Sequence, residues 1–73
     1  MIDEIRKRLQ RVPFIPFLVR ESHDHEYAIP TQDHTFITPR GNRLIVVDDE
    51  GTTNVLGTLH INAIVDQQPN GEI

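Results

Sequence analysis

Arg43-Leu44-Ile45-Val46-Val47-Asp48-Asp49-Glu50-Gly51-Thr52-Thr53-Asn54-Val55-Leu56-Gly57-Thr58-Leu59-His60-Ile61-Asn62-Ala63-Ile64-Val65-Asp66 decides how this chain folds. Leu44 to Val47 is a dense, largely β-branched run, and side chains of that shape suit a pleated, half-buried surface. Asp48-Asp49-Glu50-Gly51 supplies turn chemistry, with glycine where a type I turn and bulge need positive φ. A second apolar run over 55–65 returns along the first. Gly57-Thr58-Leu59-His60 interrupts it as a tight corner, before a last strand over 61–65. The expectation is a β-hairpin core that everything upstream must cover.

Upstream, Met1 to Val12 predicts a short amphipathic helix, because Ile2, Ile5, Leu9 and Val12 recur on one helical face. Asp3 and Glu4 at its start and Arg6, Lys7, Arg8 and Arg11 further on complement the helix dipole. Pro13 ends it by pushing the preceding residue toward extended geometry. Pro13 and Pro16 cannot both sit in a central ladder, so the next strand begins near Phe17. Glu21 to Glu26 is a polar hairpin tip leading into Tyr27-Ala28-Ile29, and 30–34 is a loop before a short strand over 35–38. Pro39-Arg40-Gly41-Asn42 is a turn in which Pro presets φ and Gly relaxes the backbone. Strands over 43–47 and 53–56 follow.

Six extended segments are marked, five of them expected in one sheet, and the expected fold is α+β and mainly β. An N-terminal amphipathic helix packs on a strongly bent five-stranded antiparallel sheet or a small Sm/SH3-like barrel. The domain spans 1–66, and 67–73 is expected to be a flexible tail. The expected core is Ile5, Leu9, Phe14, Phe17, Val19, Ile29, Phe36, Leu44, Val46, Val55, Leu59, Ile61 and Ile64.

Seventy-three residues make one small domain, and a chain of this size buries only about 60% of its unfolded surface. Without cysteine there is no disulfide staple and no thiolate to hold zinc or act as nucleophile. Small scaffolds without staples gain burial by oligomerising, so a homo-oligomer is the expectation. No apolar run has the length of a membrane span and the N-terminus lacks a secretory h-region, which points to a cytoplasmic protein without a membrane partner. The net charge of −4 is unevenly spread. Residues 1–43 hold all seven basic residues beside six acids, whereas 44–73 hold five acids and no base. An acidic total disfavours nonspecific nucleic-acid binding, which depends on neutralising phosphates, but leaves room for a local basic face.

His23-Asp24-His25, on a strand, would put both imidazoles on one face. His34 could approach from the neighbouring loop, and three histidines with an open fourth position form a zinc arrangement. The competing explanation is a solvated loop. His60 is either a partly buried imidazole bonded to backbone or a pocket residue at a subunit boundary. Asp48 to Gly51 lacks the ligand ladder of a calcium loop. The single serine, Ser22, has neither a nucleophile elbow nor an oxyanion device. No catalysis and no cofactor are expected.

Pro13-Phe14-Ile15-Pro16-Phe17, the run from Thr38 to Asp49, and Leu59-His60-Ile61-Asn62-Ala63-Ile64 resemble a family of short bacterial proteins of uncharacterised function. That family's pattern is a short helix, a Pro-Phe-x-Pro-Phe opening, an Asp-Gly turn, a Gly-Arg-x-Ile-Val-Val strand and a closing His-Ile. The likeness spans about residues 8–66, and its structural motifs imply no activity. The chain departs where His23-Asp24-His25 replaces the Asp-Gly turn and where Asn42 separates Gly41 from Arg43. The element order is also similar to Sm-like small barrels, which assemble into rings and bind RNA; this likeness is one of architecture. Gly57 to Ile61 falls where such barrels turn between their last two strands. The leading expectation is therefore a noncatalytic, self-associating interaction module. Behind it stands an Sm-like ring that binds RNA through Arg6, Arg8, Arg11, Arg40 and Arg43. A metal protein using His23, His25 and His34 comes third.

Overall fold

The computed structural model describes residues 1–66; the tail expected over 67–73 lies outside them. Among the described residues the chain forms one helix, α1 (Ile2–Leu9), and six strands. These are β1 (Phe17–Glu21), β2 (Glu26–Ile29), β3 (Thr35–Ile37), β4 (Arg43–Val47), β5 (Thr53–Gly57) and β6 (Ile61–Asp66). Short 3-10 turns occupy Gln32–His34 and Thr58–His60.

The strands form two antiparallel sheets, ordered β2-β1-β6 and β3-β4-β5. The fold is mainly β with α+β character, but among the described residues the expected single five-stranded sheet is corrected to six strands in two sheets, and no barrel is closed. Two interruptions account for this. Pro30 cannot donate to a ladder, and the turn at Gln32–His34 takes the chain out of one sheet before β3 begins in the other. The turn at Thr58–His60 then hands the chain back, so the apolar run over 55–65 divides. Its first part pairs with β4, and its last part, from Ile61, pairs with β1.

The central hairpin forms as expected. Val47 pairs with Thr53, Leu44 with Leu56, and Gly51 closes the turn at φ 85°. The Gly51 N–H donates to the Asp48 carbonyl (3.0 Å) and the Asp48 N–H to the Thr52 carbonyl (3.0 Å). Asp48 also accepts the Glu50 and Thr52 N–H groups on its carboxylate, so its side chain belongs to the turn.

One core holds the molecule together. The first sheet contributes Phe17, Val19, Ile29 and Ile61; the second contributes Leu44, Val46 and Leu56; the helix adds Ile5. Ile2, Leu9, Phe14, Tyr27, Ile37 and Ile64 pack around it. Phe36, Val55 and Leu59, expected in the core, are 57%, 60% and 97% exposed. Strand parity explains the first two, because Leu44 and Val46 face inward and their cross-strand neighbours one position off must face out. Leu59 sits in a 3-10 turn, where alternation does not apply.

Helix α1 is shorter than the expected span to Val12. The last helical bonds reach Gln10, and Val12 is 92% exposed beyond them. The apolar stripe is thus Ile2, Ile5 and Leu9, with Ile5 fully buried.

Candidate interaction surface

The outward side of β3-β4-β5 carries a continuous apolar row. Phe36 on β3 stands opposite Ile45 on β4, which stands opposite Val55 on β5. Ile45 is half-buried between two exposed neighbours. Val47 lies one step along the same face and Arg43 one step the other way. Scattered apolar side chains on a surface are ordinary, whereas a contiguous row across three strands is a contact surface in form. The sequence contained a signal for it. The turn sets Val47 against Thr53, and counting back by residue puts Ile45 against Val55 once Leu44 is taken as core.

The two turns at the ends of β4 carry opposite charge. At the Arg43 end, Gly41 adopts φ 71°, and Arg6 Nη2 comes within 3.4 Å of where a Cβ on Gly41 would stand. Arg6 from the helix therefore reaches the turn that carries Arg40 and leads into Arg43. The turn is built from short bonds: Gly41 N–H to the Thr38 carbonyl (2.8 Å), Thr58 Oγ1 to the Gly41 carbonyl (3.0 Å) and Arg43 Nη1 to the Asn42 carbonyl (2.9 Å). Arg6, Arg40 and Arg43 are all exposed. At the Val47 end stand Asp48, Asp49 and Glu50.

The remaining arginines expected at a nucleic-acid surface are placed differently. Arg11 is exposed just beyond the helix. Arg8 is engaged inside the chain, with its side chain only 16% exposed. Its guanidinium pairs with Asp66, its Nε lies 3.4 Å from Glu4 Oε2, and it stacks 5.9 Å over the Phe17 ring. The Nε is also buried without a well-aimed hydrogen bond.

The histidines do not converge, and among the described residues no three side chains of metal-ligating type form a metal-holding group. His23 and His25 lie in the turn between β1 and β2, where Asp24 takes φ 64°, so strand alternation does not align their rings. His25 stands 3.6 Å from Glu21 and edge-on to Tyr27. His34 spends both ring nitrogens elsewhere, Nδ1 with Thr31 Oγ1 and Nε2 with Asp49 Oδ1, each at 2.9 Å. His60 is exposed, with its ring lying over Gly57. Its carbonyl accepts the Ser22 N–H at 2.8 Å, so backbone, not imidazole, ties this corner to the first hairpin.

Tyr27 donates to Glu21 Oε1 at 3.4 Å. Burial pushes its hydroxyl above the ordinary 10.0, and the charge of Glu21 and this hydrogen bond act in the same direction. Among the described residues no helix is long and apolar enough to cross a membrane. No protein-family model matches the chain, and no curated protein or solved structure is significantly similar to it.

Proposed function

We propose that this chain is a noncatalytic interaction module of the cytoplasm that works by self-association. The observation that carries this is the exposed apolar row Phe36–Ile45–Val55, which lies outside the core that holds the fold. Covering such a row removes apolar area from water, and a single domain this small has little other means of adding burial. The test is sedimentation of the untagged chain over a wide concentration range. The mean mass should rise above the 8.4 kDa monomer as concentration rises. A mass held at that value up to the highest attainable concentration would overturn the proposal.

A second reading is a ring-forming, Sm-like RNA binder. The approach of Arg6 to the turn that carries Arg40 and leads into Arg43 supports it, since a local group of exposed arginines suits phosphate contacts. Retention of RNA at low salt should then weaken steeply with added salt and fail in the Arg6→Ala/Arg40→Ala/Arg43→Ala variant. Absence of retention at low salt removes this reading.

A further inference from the structure

The distribution of charge around the apolar row bears on how two copies would meet. Arg43, Ile45 and Val47 stand in line on the outward side of β4, because Leu44 and Val46 point into the core. Beyond Arg43 the turn carries Arg40, and beyond Val47 the next turn carries Glu50 and Asp49, whose Oδ1 also meets His34 Nε2 at 2.9 Å. The strip therefore runs basic, apolar, acidic, over roughly 20 Å at the usual rise of a strand.

We propose that a second copy of this chain covers the β3-β4-β5 face, related by a two-fold axis that lies across the strands. The β4 strands of the two copies then run antiparallel, and the basic turn of each faces the acidic turn of the other. This rests on the self-associating reading above and names its surface. A two-fold contact must be self-complementary, and only one orientation of this strip is. An axis along the strands would stack Arg43 on Arg43 and Asp49 on Asp49, which like charges oppose. An axis across the strands satisfies both ends at once while the rows Phe36–Ile45–Val55 pack on each other. The outward side of the other sheet lacks this selectivity, for Arg20 and Glu26 already pair there at 2.6 Å. Strands about 4.8 Å apart, of three residues in β3 and five each in β4 and β5, present roughly 200 Å² in projection. That is well under the ~800 Å² per partner of a standard interface, so the dimer is weak and strengthens at low salt.

Equilibrium sedimentation of four chains tests this. Phe36→Ser/Val55→Ser changes two exposed side chains and should leave the melt intact while holding the mass at the monomer value. If it does not fold, Val55→Lys on the edge strand takes its place. Arg40→Glu/Arg43→Glu reverses the basic turn, and Asp49→Lys/Glu50→Lys reverses the acidic one; Asp48 stays because its carboxylate holds the turn. Each reversed chain alone should dimerise at least tenfold more weakly than the natural chain, and an equal mixture of the two should recover its affinity as a heterodimer. Weakening of each reversed chain alone is what marks the antiparallel two-fold arrangement, because in the parallel one the natural chain already sets like charge on like and reversal would weaken nothing. Recovery on mixing shows that the loss is one of charge and not of folding. If the natural chain associates but the serine variant associates equally well, or mixing restores nothing, this surface is wrong while self-association stands. If the natural chain never leaves the monomer mass, both fail.

Discussion

Asp24 holds φ 64° in the turn between β1 and β2, a backbone region that L residues other than Asn and Asp rarely enter. Its N–H donates to the Glu21 carbonyl at 2.9 Å, and the Glu21 N–H in turn reaches the His25 carbonyl at 3.0 Å, so the conformation is built into the hairpin. Asp24→Gly should raise stability by up to about 1 kcal/mol, and Asp24→Val should lower it by about 1–2 kcal/mol. Urea midpoints of the three chains check this, and an ordering with valine above aspartate would contradict it. Tyr27 allows a pH prediction. Its hydroxyl titrates above 10.0 in the fold, first because of burial and then because of Glu21. The folded state therefore holds this proton more tightly than the unfolded chain does. The resulting stabilisation is complete below the ordinary value and is lost as pH rises through the higher folded one. Above about pH 10 the natural chain should lose stability more steeply than Tyr27→Phe; identical slopes would show that Tyr27 carries none of it.

At the scale of elements, α1 is the piece whose docking is easiest to break. Ile5 is the helix residue buried in the core. Ile5→Ala should cost about 2–4 kcal/mol, through lost transfer energy and the cavity left behind. That is a large share of what a chain of this length can have, and a urea midpoint shift worth less than about 1 kcal/mol would mean the helix is not part of the cooperative core. Arg8 adds a second tie through Phe17 and Asp66. Arg8→Ala should therefore destabilise the fold by about 1 kcal/mol, whereas Arg40→Ala, at an exposed turn, should stay within about 0.5 kcal/mol. Comparable thermal melts for the two variants would show that Arg8 is not engaged as described. The elements themselves were largely legible in the residues. Pro16 delayed β1 to Phe17, and Gly41 and Gly51 marked turns at positive φ. Val12 misled because it continues the helical period after the backbone has left the helix; periodicity extends on paper as far as apolar residues happen to recur.

Across the whole molecule, what was missed is a matter of partners distant in the chain. The arginines formed one basic set in the sequence, yet the fold separates Arg8, drawn onto Phe17, from Arg6, placed beside Gly41. His34 was grouped with His23 and His25, yet it bonds Asp49 just past the end of β4. Phe36 and Val55 were assigned inward because they are apolar; the hairpin register could have set Val55 outside with Ile45, whereas the place of Phe36 follows from the pairing of β3 with β4. The amino-acid sequence by itself determined the local features: the helix start, the strand segments, the turn glycines and the alternation along β4. Each depends on the conformational limits of a few adjacent residues. Tertiary structure alone decided that the strands divide into two sheets, that β6 closes on β1, and which side chains share a corner. Those outcomes depend on pairing and burial between segments far apart in sequence, where local propensity has no influence.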